Sequence, residues 1–131
     1  MVSETRELRL EDIGQIAVTA HDLERAVAYY RDTLGIPFLF EVPGMAFFQC
    51  GSVRLMLAVP EGEHAHPSSI LYFRVDDVER AHAVLARRGA AFVAEPRIVH
   101  RTDESELWMA FFRDSEGNTL AVMAEKESGA I

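Results

Sequence analysis

One segment of this chain occurs twice. "DLERAVAYYRDTLG" at 22–35 returns as "DVERAHAVLARRG" at 77–89, and the first seven positions share Asp, Glu, Arg and two Ala. The match continues beyond the helices. An offset of 55 carries Gln15 onto Ile70, "MAFF" at 45–48 recurs at 109–112, and "LMLA" at 55–58 faces "LAVM" at 120–123. Agreement running through a helix and the strands after it is the mark of a duplicated structural unit. The chain is therefore expected to fold as two copies of one module, each of about 55–60 residues.

Each copy reads strand, helix, strand, strand, strand. In "IGQIAVTA" at 13–20, Ile16 and Val18 share one parity, as in a half-buried strand. Asp22 offers an N-cap oxygen, and Leu23, Ala26, Val27 and Tyr30 make one apolar helical stripe. Gly35 and Pro37 stop that helix. "FLFEV" at 38–42, "MAFFQC" at 45–50 and "VRLMLAV" at 53–59 follow, separated by turn residues. After the polar linker 60–69 come "ILYFRV" at 70–75, the second Asp-led helix ending at Gly89, and "AAFVAEP" at 90–96. "LWMAFFR" at 107–113 and "NTLAVMAE" at 118–125 complete the copy. The stretch 97–106 reads either as a mobile loop or as a weak strand with a loop. This gives a single α+β domain over 1–131: module one at 12–59, module two at 70–125, and a tail at 126–131.

Composition narrows the function. A formal charge of −8 opposes phosphate backbones and anionic membranes, so neither nucleic acid nor membrane is an expected partner. No apolar run reaches the roughly 18 residues of a membrane span, and the polar start does not read as a secretion signal. The single cysteine, Cys50, makes no internal disulfide, which fits a reducing cytoplasm.

Paired βαβββ modules, the "DLERAVAYYRDTLGI" segment and "FFRDSEGNTLAVM" near the end resemble the vicinal oxygen chelate superfamily, over roughly 12–125. That group includes glyoxalase I, extradiol dioxygenases and bleomycin-resistance proteins. The resemblance implies cupped mixed sheets with helices on the convex side, a ligand in the cup, and a homodimer. Whether modules pair within one chain or swap between two is left open. Metal-dependent members place ligands on the first and last strand of each module. Here those positions are Gln15, Met56, Ile70 and Ala121. Only Gln15 has a suitable oxygen; Met56 is a soft thioether, and the other two side chains cannot ligate. No metal or other cofactor is expected.

These four positions also set the parity of every strand. Ile16, Val18, Leu55, Leu57, Leu71, Phe73, Val75, Phe112, Leu120 and Val122 should face the helices. The cup should present Gln15, Met56, Ile70, Tyr72, Met109, Phe111, Ala121 and Met123, with Phe48 at its wall. Trp108, of opposite parity to Met109, is either a rim contact or simple packing. Arg54, Arg74 and Arg113 also fall on the cup side, where pairing with acids at a seam is the plainer role. His64 and His66 read as solvated linker rather than metal ligands.

The resemblance, nearest to the metal-free bleomycin-resistance branch, implies metal-independent binding of a hydrophobic, aromatic small molecule, sequestering a natural product or antibiotic for self-resistance. The alternative is a lyase, isomerase or transferase of the same fold with an atypical site. No acid–base pair for that chemistry is visible, and no catalytic residue is assigned.

Overall fold

A computed structural model describes residues 8–61 and 67–127; His64 and His66 lie outside them. The first copy contains β1 (Gln15–Thr19), α1 (Leu23–Ala28) with a π-helical continuation (Tyr29–Thr33), β2 (Phe38–Val42), β3 (Met45–Cys50) and β4 (Val53–Ala58). The second contains β5 (Leu71–Arg74), α2 (Val78–Arg87), β6 (Ala91–Phe92), β7 (Arg97–Arg101), β8 (Ser105–Arg113) and β9 (Thr119–Glu127). The sheets run β1-β4-β3-β2 and β5-β9-β8-β6, each with its first strand parallel to its last. The fold is α+β.

The repeat extends to hydrogen-bond detail. Asp22 Oδ1 accepts from the Arg25 amide and Asp77 Oδ1 from the Arg80 amide, both at 3.1 Å, so each helix starts on the same cap. The second copy departs at its edge. Pro96 has no N–H for the ladder, so pairing with β8 breaks between β6 and β7. Segment 97–106 is therefore not a mobile loop: β7 pairs with β8, and Thr102 Oγ1 accepts from the amides of Glu104 and Ser105 to close the turn.

All ten residues expected to face the helices lie in the core or pack against it. The other face of each sheet is left uncovered by its helix, which is where a site must be sought.

The copies are fastened through the turn 114–118. The buried Asp114 carboxylate accepts four hydrogen bonds: from Tyr30 Oη at 2.6 Å, the Glu116 and Asn118 amides at 2.8 Å, and Asn118 Nδ2 at 3.0 Å. Asn118 Nδ2 also donates to the Thr19 carbonyl, and Tyr29 Oη to the Arg113 carbonyl. Glu116 accepts from the His21 and Asp22 amides and from Arg25 Nη2, at 2.6, 3.3 and 3.0 Å. On the helix side, Arg88 Nη1 donates to the Thr33 carbonyl at 3.2 Å. Those two residues are separated by the repeat's own offset, as contacts across a local twofold axis are.

Burial, reinforced by Asp114, raises the Tyr29 phenol to about 12 and raises that of Tyr30 as well. An unfolded tyrosine titrates near 10, so above that pH the unfolded chain loses protons that the fold retains. This contribution to stability is complete below pH 10 and is lost as pH rises beyond it, at about 1.4 kcal/mol per pH unit for Tyr30 while its folded form stays protonated. Tyr30→Phe should cost about 1–3 kcal/mol at neutral pH by removing a donor from buried Asp114. Denaturant titrations at pH 7 and from pH 10 to 12 should also show a shallower alkaline decline in the variant.

Candidate functional site

Register fixes which side chains share the uncovered faces. On the first sheet, Ala17, Met56, Phe47 and Phe40 lie side by side across β1, β4, β3 and β2. On the second, Tyr72, Ala121 and Phe111 do the same across β5, β9 and β8, with Arg74, Met123 and Met109 beside them. Strand alternation brings Gln15 and Arg54 onto the same face as Met56. Ile70, two residues before Tyr72, is exposed. Thus Gln15, Met56, Tyr72, Met109, Phe111, Ala121 and Met123 stand where the alternation puts them, and Ile70 lies just before β5.

Two expected site residues lie elsewhere. Phe48 is 0% exposed and packs against Tyr30 and Phe38 on the helix side; its neighbour Phe47 occupies the uncovered face. The repeat carries that signal, because "MAFF" on "MAFF" sets Phe47 against Phe111. Trp108 also belongs to the helix side. Its Nε1 donates to Glu106 at 3.1 Å, Lys126 lies 4.7 Å from its ring centroid, and Lys126 pairs with Glu79 of α2. Of its two readings, packing is the observed one.

Each uncovered face carries an aromatic pair. Phe40 and Phe47 stack at 4.6 Å and 24°, with the Arg54 guanidinium 5.7 Å from the Phe47 centroid. Tyr72 and Phe111 meet edge to face at 5.8 Å and 81°. Ala121 lies between those two in the register and is 0% exposed. Its single methyl leaves the space above β9 to the rings.

The two faces approach each other beside the seam. Thr19, Ile70 and Thr119 line a hollow of about 500 Å³ there, with Glu116 and Asn118 on its wall. Among the described residues, no strand pairing joins the sheets.

The donor chemistry at the four ligand positions does not suit a divalent ion. Gln15 Nε2 donates to the weakly accepting Met56 Sδ, 3.9 Å away, and Ile70 and Ala121 offer hydrocarbon alone. Among the described residues, no three His, Cys, Asp or Glu gather closely enough to hold a metal. The Cys50 thiol lies on the helix side, and burial raises its pKa, which disfavours the thiolate.

Two βαβββ copies, each with its first and last strands parallel, define the glyoxalase class of fold. A sequence profile of the Glyoxalase/Bleomycin resistance protein/Dioxygenase superfamily matches residues 12–122, and the chain belongs to that family. It is 27% identical to the uncharacterized protein YraH of Bacillus subtilis (strain 168), across 82% of this chain and 94% of that one. A lactoylglutathione lyase from Agrobacterium tumefaciens superposes with a TM-score of 0.69 at 24% identity, over 88% of this chain and 94% of the other. A superfamily member from Sphaerobacter thermophilus reaches 0.73 at 21%, over 89% and 99%. These likenesses establish the fold. Among the described residues, no helix is long and apolar enough to cross a membrane.

The Ala121 geometry is testable alone. Ala121→Glu should destabilise by about 1–3 kcal/mol through overpacking, more if the carboxylate stays buried. Removing the ring above it, in Ala121→Glu/Tyr72→Ala, should recover part of that loss. A double-mutant cycle on melting temperature reads the coupling.

Proposed function

We propose that the protein binds a hydrophobic, ring-containing small molecule on its uncovered sheet faces without help from a metal, and sequesters it as a self-resistance protein sequesters a toxic natural product. The supporting observation is the pair of aromatic clusters beside four ligand positions of which two, Ile70 and Ala121, cannot coordinate, one, Met56, is a soft thioether, and only Gln15 keeps an oxygen. Tyr72 is 46% and Phe40 44% exposed, so both rings are available to a flat partner. A well-placed aromatic contact contributes about 0.5–1.5 kcal/mol beyond the area it buries. Met56, Met109 and Met123 add adaptable surface around the rings.

The same exposed apolar side chains favour a homodimer, in which a second copy covers part of these faces. Light scattering should return twice the 14.7 kDa chain mass; a monomer at micromolar concentration sinks this part of the reading. The cytoplasm suits a protein with one unpaired cysteine.

A second reading is enzymatic, a lyase, isomerase or transferase with an atypical site. It rests on Gln15, which keeps an amide at a ligand position, and on the fold shared with the Agrobacterium lactoylglutathione lyase. Among the described residues on these faces, no carboxylate is found hydrogen-bonded to a partner base, which weighs against it.

Calorimetric titration with a panel of polycyclic aromatic antibiotics separates the readings. At least one should bind, should be recovered chemically unchanged, and should bind equally after dialysis against EDTA. Tyr72→Ala or Phe111→Ala should weaken that binding roughly 5- to 20-fold. Recovery as a new product would favour the enzyme.

A further inference from the structure

A second cavity lies on the opposite side of the second sheet. It holds about 410 Å³ between α2 and the strands, over a floor of Phe73, Phe112 and Val122 and under Val84 and Leu85, with Ile36 closing one end. Asp76, Asp77, Arg80 and Arg88 border it and are exposed. An engineered apolar cavity of about 150 Å³ takes up benzene, so this space suits a molecule of two or three rings.

The duplication shows what the cavity lacks. Shifted by 55 positions, Val84 and Leu85 stand where the first copy has Tyr29 and Tyr30, and Asp76, Asp77 and Arg80 stand where it has His21, Asp22 and Arg25. In the first copy the two rings fill the space beside α1. The Glu116 carboxylate, only 4% exposed, accepts from the His21 and Asp22 amides and from Arg25. In the second copy the rings are short aliphatic chains. The turn equivalent to 114–118 is the shorter Gly51–Ser52, with no carboxylate to offer. Among the described residues, no acceptor meets the Asp76 and Asp77 amides or the Arg80 guanidinium.

We infer that this cavity is a binding site for an aromatic carboxylic acid, whose rings take the space of Tyr29 and Tyr30 and whose carboxylate takes the place of Glu116. Two backbone amides at the start of a ten-residue helix and one guanidinium then hold the anion, as their counterparts hold Glu116. The Asp77 carboxylate is compatible with this, because its counterpart Asp22 caps α1 beside Glu116. The Asp76 side chain is the one unfavourable neighbour, and it replaces His21. The site is separate from the uncovered faces: Val122 lines it, while Ala121 and Met123 point the other way.

The test compares 2-naphthylacetic acid with its uncharged amide, 2-naphthylacetamide, by calorimetry at pH 7. The acid should bind at least tenfold more tightly. Arg80→Gln, at an exposed position, should remove most of that preference and leave the amide unaffected. Leu85→Tyr, which copies the first module, should abolish binding of both. Methyl NMR of the unmutated protein gives a readout independent of any variant: the acid should shift Val84, Leu85 and Val122 rather than Met56 and Met109. Equal affinity for acid and amide, shifts confined to the methionines, or no binding at millimolar acid would each overturn the proposal.

Discussion

Asp114 holds the architecture together. A carboxylate removed from water is costly unless hydrogen bonds replace its hydration, and here four donors do so. Three of those bonds lie within its own turn, where Gly117 takes a φ of +85° that a side chain would oppose. The bond from Tyr30 reaches the π-helical turn after α1. Since the same turn carries Glu116 to the start of α1, that helix is fixed to the second module at both ends. The position of α1 in turn decides which face of the first sheet is core and which is left for a ligand.

Much of this was legible in the sequence, for a mechanical reason. Side chains alternate along a strand, so one correct parity per strand assigns every residue to a face, and the repeat supplied that parity twice. The same rule, applied without exception, places Phe47 rather than Phe48 on the uncovered face and Trp108 with the core. The seam was not legible, because Tyr30 and Asp114 are 84 residues apart and neither pattern nor propensity points from one to the other. The strand β7 was only half legible: the stretch reads as a mobile loop or as a weak strand with a loop, and its turn depends on one hydroxyl, Thr102 Oγ1, accepting from two amides.

The four positions that match the family's ligand sites have a role in the present packing. At Ala121 the small side chain leaves the room in which Tyr72 and Phe111 meet, and Met56 is a polarizable neighbour for Phe47. A carboxylate at either place would compete with the rings for space and bring a solvation demand that hydrocarbon does not meet. The side chains present at these positions suit excluding water better than holding an ion.

Duplication followed by divergence also explains why the two halves differ most where they are held together. If Arg88 and Thr33 lie near a local twofold axis, every contact between modules has a counterpart on the other side of that axis. A chain needs only one such seam to fix the arrangement of its halves. Here the seam is built by Tyr29, Tyr30, Asp114 and Glu116, and its counterpart carries no equivalent contacts among the described residues. Val84, Leu85 and the short Gly51–Ser52 turn stand there instead. The matching caps at Asp22 and Asp77 and the matching Arg25 and Arg80 show that the two helices share one framework, while the space beneath α2 is unfilled. The asymmetry is therefore a consequence of sufficiency: one filled joint carries the fold, and the unfilled one is free to acquire a ligand.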